Sequence, residues 1–204
     1  MYSQGGEEAI ILEVFGAFVG CFLDIGALDG VSLSNTRALS ELGWSGLCVE
    51  ANPYAWQLLH SVYPDDPVKT LCASVWPHPE IRTLHLNQDG LTTSIADVFG
   101  RGQSHGLHFY GSCLSPTVHP RELARFGPFD FVSIDAEGCD VEIVRHGREI
   151  LAGTRLLCVE KFEPCSTQRE KDRRDILEAC SSHGFIEVVG ETPGNILLTR
   201  KGEA

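Results

Sequence analysis

Basic residues are scarce in this sequence. The chain has 16 Lys and Arg residues against 28 Asp and Glu residues, which gives a formal net charge of −12 at pH 7. Binding to nucleic acids depends on clustered Lys and Arg side chains that neutralise phosphates. The one compact basic run, "REKDRRD" over residues 169–175, is interrupted by acidic residues. The composition therefore predicts no nucleic-acid partner.

Long apolar runs and the features of a leader sequence are also missing. No run approaches the roughly 18 apolar residues that a membrane-spanning helix needs. The start, "MYSQGGEEAI", lacks the basic segment and the cleavage site of a signal peptide. The eight cysteines form no CxxC pair, and several lie in or beside apolar runs, which favours reduced, buried thiols. These absences predict a cytoplasmic protein without a membrane partner.

Strand and helix patterns alternate along the chain, and its 204 residues suit one domain. Helices are predicted over residues 7–15, 34–42 and 167–183. Two more are predicted, one that begins at residue 53 and one that follows "FDFVSIDAEG" and ends at about residue 151. Strands are predicted over residues 20–25, 46–50 and 68–75, at "IRTLHLN", "FDFVSID" and "RLLCVEKF", and in a closing hairpin. This order favours a mostly parallel sheet with helices on both faces. Residues 77–128 are irregular, and within them residues 100–120 are predicted to be a loop or lid.

The stretch "FLDIGALDG", residues 22–30, ends the first predicted strand in a glycine-containing turn. Glu50 ends the second predicted strand, where a carboxylate can bind a ribose diol in doubly wound sheets. The turn lacks the middle glycine of G-x-G-x-x-G. Asp24 and Asp29 would repel a pyrophosphate, since two charges about 4 Å apart interact by roughly 4 kcal/mol at an effective dielectric of 20. A cationic nucleoside without phosphate, such as S-adenosylmethionine, suits this turn better.

Five segments of the chain follow one another in a characteristic order. They are "YSQGGEEAIIL", "GCFLDIGALDGVSLSNT", "GWSGLCVEANP", "FDFVSIDAEGCDVEIV" and "GNILLTRK". Together they resemble the FkbM-type S-adenosylmethionine-dependent methyltransferases over most of the chain, residues 77–128 being the exception. The resemblance implies one α/β domain over residues 1–204 with the class I methyltransferase fold. This fold is a Rossmann-like, doubly wound, mostly parallel seven-stranded sheet with an antiparallel last strand.

The resemblance also implies a cofactor site. Its residues would be Gln4, Asp24, Gly26, Ala27, Asp29, Gly30, Asn35, Glu50, Ala51, Asn52, Ala73, Ser74 and Asp135. The first turn would bind the methionine end, Glu50 the ribose with Asn52 and Pro53 beside it, and Ala73 and Ser74 the adenine. Ser3 and Gln4, in an N-terminal capping segment over residues 1–19, would close over the cofactor. For Asp29 and Asn35 the alternative is a role in the turn or cap alone.

Carboxylates at the next two strand ends are the candidate catalytic residues. Asp135 and Glu137 follow the fourth core strand, and Glu160 and Lys161 end the fifth, so all would face the acceptor. Positioning can lower the barrier of an in-line methyl transfer by about 7–11 kcal/mol, whereas a base adds only roughly 10²–10⁴-fold. We expect Asp135 to be the base or to orient the acceptor, with Glu137 second. Glu160 would position Asp135 or a substrate amine.

Other roles for these carboxylates stay open. Glu137 could lie in the first turn of a helix, where its charge favours the helix dipole. Clustered carboxylates also bind hard divalent cations, so a metal held by Asp135 and Glu160 is an alternative, although no metal is predicted. The spacing of His105, His108 and His119 does not match a structural zinc site.

The sequence thus predicts a methyltransferase that converts S-adenosylmethionine into S-adenosylhomocysteine. The expected reaction is O-methylation of a small-molecule or sugar-containing metabolite. One alternative is an NAD(P)-dependent oxidoreductase on the same fold. Another is a non-catalytic protein that binds a cofactor or an interaction partner. The acceptor depends on residues 77–128, and the sequence leaves a homodimer open.

Overall fold

Eleven strands and seven α-helices make up the described part of the chain. The structure, a computed structural model, describes residues 1–64, 66–87, 93–94, 109–161 and 166–202. The strands are β1 Cys21–Ile25, β2 Ser45–Glu50, β3 Val68–Cys72, β4 Ser74–Val75, β5 Ile81–Asn87, β6 Thr93–Ser94, β7 Phe109–Val118, β8 Phe131–Ile134, β9 Leu156–Glu160, β10 Phe185–Glu191 and β11 Asn195–Arg200. The helices are α1 Glu7–Phe15, α2 Arg37–Glu41, α3 Pro53–Val62, α4 Pro120–Leu123, α5 Asp140–Arg145, α6 Arg148–Leu151 and α7 Ser166–Ser181.

Seven of the strands form the main sheet, in the order β10-β11-β9-β8-β1-β2-β3. The pairs from β9 to β3 are all parallel, whereas β11 is antiparallel to both β9 and β10. The prediction of a mostly parallel seven-stranded sheet with an antiparallel last strand is confirmed. The direction of strand progression reverses between β1 and β8, and sheets of this kind bind ligands beyond the carboxyl ends of the strands at such a point.

Apolar side chains cover both faces of the main sheet, as a parallel sheet requires. Neighbouring residues of β1 serve opposite faces: Phe22 packs in a cluster with α1, α2 and α3, and Leu23 in a cluster with α5, α6 and α7. The fully buried Trp44 anchors the first cluster, with the Phe15 ring edge-on to it at a centroid distance of 4.8 Å. The sheet is therefore held rigidly on both sides, which fixes the positions of its strand ends.

A separate four-stranded sheet, ordered β4-β7-β5-β6, lies beside the main one. The strand predicted over residues 68–75 is divided at Ala73, whose N–H donates to the Glu50 carbonyl at 3.1 Å. The expectation of a loop over residues 100–120 is wrong for Phe109–Val118, which pair with β5 along its length. Ser115 and Pro116 lower the intrinsic strand preference there, but hydrogen bonds from β5 override it. His105 and His108 lie outside the described residues.

Two further expectations concern helices and cysteines. The helix predicted up to residue 151 is two short helices, α5 and α6. Across the described ranges, no helix combines the length and apolar character needed to cross a bilayer. Seven cysteines are unpaired, and Cys165 lies outside the described residues.

Glu7, the first residue of α1, is a fully buried carboxylate. It accepts hydrogen bonds from the Gly5 N–H at 2.7 Å, from Asn195 Nδ2 at 2.9 Å and from the Thr192 hydroxyl. Burial acts to raise the pKa of Glu7, but these donors outweigh burial and hold the pKa below its ordinary value. Glu7 thus fixes the N-terminal segment to the β10–β11 hairpin and places Gln4 at the pocket described below.

We expect Glu7→Ala to lower the free energy of unfolding by roughly 2–4 kcal/mol. The substitution leaves the buried Asn195 and Thr192 side chains without this partner, at about 1–3 kcal/mol for each group. Denaturant titration measures the change. Glu13→Ala, on the exposed side of the same helix, is the matched control and should cost less than about 0.5 kcal/mol. Equal losses in the two variants would contradict the role given to Glu7.

Candidate active site

A pocket with a cavity volume of about 260 Å³ opens at the carboxyl ends of β1, β2 and β8, where the strand progression reverses. It brings together most of the residues predicted from the sequence. Those that line it are Gln4, Asp24, Gly26, Ala27, Asn35, Glu50, Ala51, Ala73, Ser74, Asp135, Glu137 and Glu160. Six other residues considered for the site do not line it, namely Ser3, Asp29, Gly30, Asn52, Pro53 and Lys161.

Gly26 joins the three strand ends below the pocket. Its φ of +86° is left-handed, and a Cβ at this position would lie 1.7 Å from the Asp135 carbonyl oxygen. Its N–H donates to the Val49 carbonyl at 2.8 Å, and the Asp135 N–H donates to the Ile25 carbonyl at 2.9 Å. Only glycine combines this conformation with so close an approach.

Asp24 is the carboxylate of the first turn that faces the pocket. It is 4% exposed, and it accepts a hydrogen bond from the Thr36 hydroxyl at 2.6 Å. Burial raises the pKa of Asp24 to about 6, although the hydroxyls of Thr36 and Ser133 act in the opposite direction. The ionised form of Asp24 is therefore costly without a cation in the pocket.

Asp29, the second carboxylate of the turn, is occupied by its own loop. It accepts hydrogen bonds from the Val31 N–H at 2.8 Å, the Ser32 N–H at 2.7 Å and the Ser32 hydroxyl at 2.8 Å. Partial burial acts to raise the pKa of Asp29, but these donors hold it below its ordinary value. The geometry matches the alternative of a turn residue, and contact of Asp29 with a cofactor stays a prediction.

Gly30 and Asn52 also lie beside the pocket rather than on its surface. A Cβ on Gly30, whose φ is +77°, would lie 2.7 Å from the Leu59 side chain, so this glycine permits close packing of the turn against α3. Asn52 is the N-cap of α3 and accepts a hydrogen bond from the Tyr54 N–H, as the Asn-Pro sequence predicts.

Glu50, at the end of β2, holds two backbone segments with one carboxylate. Oε2 accepts from the Leu28 N–H at 2.8 Å, and Oε1 accepts from the Asn52 N–H at 2.7 Å. Burial raises the pKa of Glu50 to about 7, partly offset by these N–H donors. Each carboxylate oxygen has a further lone pair, so Glu50 can accept additional hydrogen bonds from a ligand.

Asn35 offers an acceptor atom on the opposite side of the turn. Its Nδ2 donates to the Ser133 hydroxyl at 3.2 Å. Its Oδ1 is shielded from solvent and has no hydrogen-bond partner among the described residues. Because buried polar atoms in folded proteins are nearly always paired, this oxygen points to a ligand that donates a hydrogen bond.

The far end of the pocket is mostly apolar. Ala73, Val75 and Leu84 line it together with Ser74, and the Ser74 hydroxyl is 2.8 Å from the Ser115 hydroxyl of β7. The second sheet therefore contributes to the same pocket. A flat, uncharged ring fits this end better than a charged group does.

Asp135, Glu137 and Glu160 form a carboxylate cluster at the β8 and β9 ends of the pocket. Each contributes one oxygen, and these three atoms lie within 4.8 Å of one another. Burial and the neighbouring charge of Asp140 raise the pKa of Asp135 to about 7, and burial together with Asp135 raises the pKa of Glu160 well above its ordinary value. Glu137 precedes α5 rather than lying in its first turn. The cluster holds a proton near neutral pH.

Five carboxylates thus line one pocket: Asp24, Glu50, Asp135, Glu137 and Glu160. No Lys, Arg or His occurs among the described residues that line it. Lys161 is buried, and its Nζ donates to the Thr192 carbonyl at 2.6 Å and to Glu191 at 3.0 Å, away from the pocket. The electrostatics favour a cationic ligand and disfavour a phosphate.

Several residues that support these side chains were not predicted from the sequence. Thr36 and Ser133 hydrogen-bond the polar groups of the pocket, and Leu33 and Cys139 line it. Asp140 binds the backbone on both sides of Glu137. A signal for Asp140 was available, because an Asp just after a glycine-containing turn often accepts nearby N–H groups.

Solved structures of known proteins share this architecture. An FkbM methyltransferase from Methylobacillus flagellatus KT has a TM-score of 0.54 at 12% identity, over 97% of this chain and 48% of its own. A TehB-like SAM-dependent methyltransferase from Corynebacterium glutamicum has a TM-score of 0.51 at 13% identity, over 98% of this chain and 89% of its own. Cofactor-bound Rv0187 from MTB has a TM-score of 0.50 at 16% identity, over 98% of this chain and 81% of its own.

The chain has the class I methyltransferase fold. It spans about half the length of the FkbM methyltransferase, 48% of that chain. No family model matches the sequence, and a search of curated proteins finds no significant match. At these identities the likeness shows the fold alone. The residues of the pocket are therefore the basis for any inference about activity.

Asp24→Asn is expected to stabilise the ligand-free chain at pH 8 by roughly 2–3 kcal/mol. The folded-state pKa of Asp24, about 6, lies above its unfolded value of about 3.9. The carboxylate therefore lowers stability progressively as pH rises from about 4 to 6, and its full cost is present above that range. The substitution removes this cost, while at pH 4 and below, where Asp24 is protonated, it should have little effect.

Denaturant titrations of parent and variant at pH 4 and pH 8 measure this difference. Glu142→Gln, an exposed carboxylate on α5 paired with Arg145, is the control and should behave like the parent at both values. A variant that is less stable than the parent at pH 8 would show that the Asp24 carboxylate is not strained by burial.

Proposed function

We propose that this chain is an S-adenosylmethionine-dependent methyltransferase that methylates an oxygen of a small-molecule or sugar-containing acceptor. The observation that carries the proposal is the pocket of five carboxylates without a basic side chain among its described lining residues. The three fold relatives support the class of reaction, because two of them are named as methyltransferases and the third was solved with a cofactor.

The polar groups of the pocket fit S-adenosylmethionine part by part. Glu50 would accept hydrogen bonds from the ribose diol, as carboxylates do at this position of doubly wound sheets. The unpartnered Asn35 Oδ1 and the Asp24 carboxylate would bind the ammonium group of the methionine end. The apolar end formed by Ala73, Val75 and Leu84 would contact the adenine.

Charge distinguishes this cofactor from a dinucleotide. S-adenosylmethionine carries a sulfonium and an ammonium and has no phosphate, so buried carboxylates favour it. A pyrophosphate would lie against the same carboxylates, where each pair of like charges at about 4 Å costs roughly 4 kcal/mol at an effective dielectric of 20. The oxidoreductase alternative is therefore disfavoured by the residues of the pocket themselves.

When bound, the cofactor would supply an electrophilic methyl group. The carboxylate cluster would receive the acceptor, with its hydroxyl directed at Asp135. The pKa of Asp135, about 7, is near the value at which a general base works best at neutral pH. Asp135 would accept the hydroxyl proton as the oxygen attacks, and protonated Glu160 would stabilise the Asp135 carboxylate beforehand. The alternative of a divalent metal at Asp135 and Glu160 stays a prediction.

Calorimetry with S-adenosylmethionine and S-adenosylhomocysteine tests the proposal directly. We expect one molecule of either ligand to bind per chain. NADH fluorescence titration on the same preparation should give no saturable signal. If neither sulfur compound bound at millimolar concentration, or if NADH bound more tightly than both, the proposal would be overturned.

Glu50→Gln should weaken binding of S-adenosylhomocysteine roughly 10- to 100-fold. Hydrogen bonds to a charged group are worth about 1.5–3 kcal/mol, and each 1.4 kcal/mol is tenfold in affinity. Because this ligand keeps the ribose but has lost the sulfonium, its affinity isolates the diol contact. Glu13→Gln, remote from the pocket, is the control. An unchanged affinity in a folded Glu50→Gln protein would remove Glu50 from the ribose site.

A further inference from the structure

We propose that Asp140 is a positioning residue for the reaction: its carboxylate holds the turn that presents Glu137 to the acceptor. Asp140 is 3% exposed and does not line the pocket. Its Oδ1 accepts a hydrogen bond from the Ala136 N–H at 2.7 Å, and its Oδ2 accepts one from the Gly138 N–H at 3.0 Å. The two bonds bracket Glu137. This inference rests on the proposed function of the pocket.

The turn needs such a clamp because its backbone is unfavourable by itself. Glu137 has a φ of +51° and Gly138 a φ of +93°. A non-glycine residue pays an energetic penalty in this left-handed region and stays there only when its surroundings impose it. Asp135 is fixed independently through its N–H bond to Ile25. The two bonds to Asp140 restrain the backbone on both sides of Glu137.

This arrangement differs from ordinary capping of a helix. The helix α5 begins at Asp140 itself, and its N-cap residue, Cys139, makes no side-chain capping bond. The N–H groups that Asp140 binds belong to residues 136 and 138, which precede the helix. The carboxylate thus binds the turn that precedes α5.

Asp140 also acts on Asp135 through its charge. After burial, the Asp140 carboxylate is the largest contribution that raises the pKa of Asp135. The titratable groups that face Asp135 come from several elements. They are Asp24 of β1, Glu50 of β2, Glu137 of the same turn, Asp140 of α5, and Cys158 and Glu160 of β9. Asp140 is the one among these that also holds the backbone of the turn.

Asp140→Asn tests the inference, with amide hydrogen exchange of the turn as the readout. The asparagine keeps one acceptor oxygen but loses the charge. We expect the Ala136 and Gly138 N–H groups to exchange roughly 10-fold faster than in the parent, because hydrogen bonds to a charged acceptor are stronger than those to a neutral one. Glu142→Gln, an exposed carboxylate on the same helix, should leave their exchange unchanged.

A purely structural role would speed exchange in β1 and β8 by the same factor as in the turn; that result, or unchanged exchange at Ala136 and Gly138 in a folded Asp140→Asn protein, would overturn the inference. Should Asp140→Asn not fold, Asp140→Ser gives the same comparison, since its hydroxyl can still accept one N–H bond without the charge. Calorimetry with S-adenosylhomocysteine on the parent separates the two claims. Absence of binding there contradicts the proposed function, whereas binding with unchanged exchange of the turn contradicts only the role of Asp140.

Discussion

Burial of several carboxylates in one pocket, without a basic side chain among the described residues that line it, is the constraint on which the structure depends. Burial raises the pKa of Asp24 to about 6 and the pKa of Glu50 to about 7. Hydroxyl and backbone N–H donors offset part of this cost, but they carry no net charge. The ligand-free pocket is therefore strained in a way that a cation relieves. A methyl donor that carries a sulfonium would meet this constraint in the pocket where the strand progression of the sheet reverses.

The two carboxylates of "FLDIGALDG" have different surroundings and therefore different roles. Asp24 lies in the pocket and bears the cost of burial. Asp29 lies outside the pocket, and hydrogen bonds from three donors of its own loop stabilise its charge. Their proximity in sequence suggested one shared role, but the turn directs them to different sides. A similar division holds at the end of β8, where Asp135 faces the pocket and Asp140 holds the turn behind it.

The fold and most of the pocket could be predicted from the sequence because they follow from local patterns. Asp24 lies next to the last residue of β1, Glu50 ends β2 and Asp135 follows β8, so these carboxylates lie at one edge of a parallel sheet. Strand β7 could not be predicted, because Ser115 and Pro116 conceal it and only its pairing with β5 reveals it. Thr36 and Ser133 were missed for a related reason. Each acts through a hydrogen bond to a side chain that is distant in the sequence. The spacing of nearby residues does not reveal such a partner.

The central claim is that the pocket at the ends of β1, β2 and β8 binds a methyl donor. A crystal structure of the chain with S-adenosylhomocysteine tests this claim most directly. We expect the ribose hydroxyls on Glu50, the amino group within hydrogen-bond distance of Asn35 Oδ1, and the sulfur directed towards the cluster of Asp135, Glu137 and Glu160. Ligand density elsewhere on the chain, or in this pocket with the ribose away from Glu50, would contradict it.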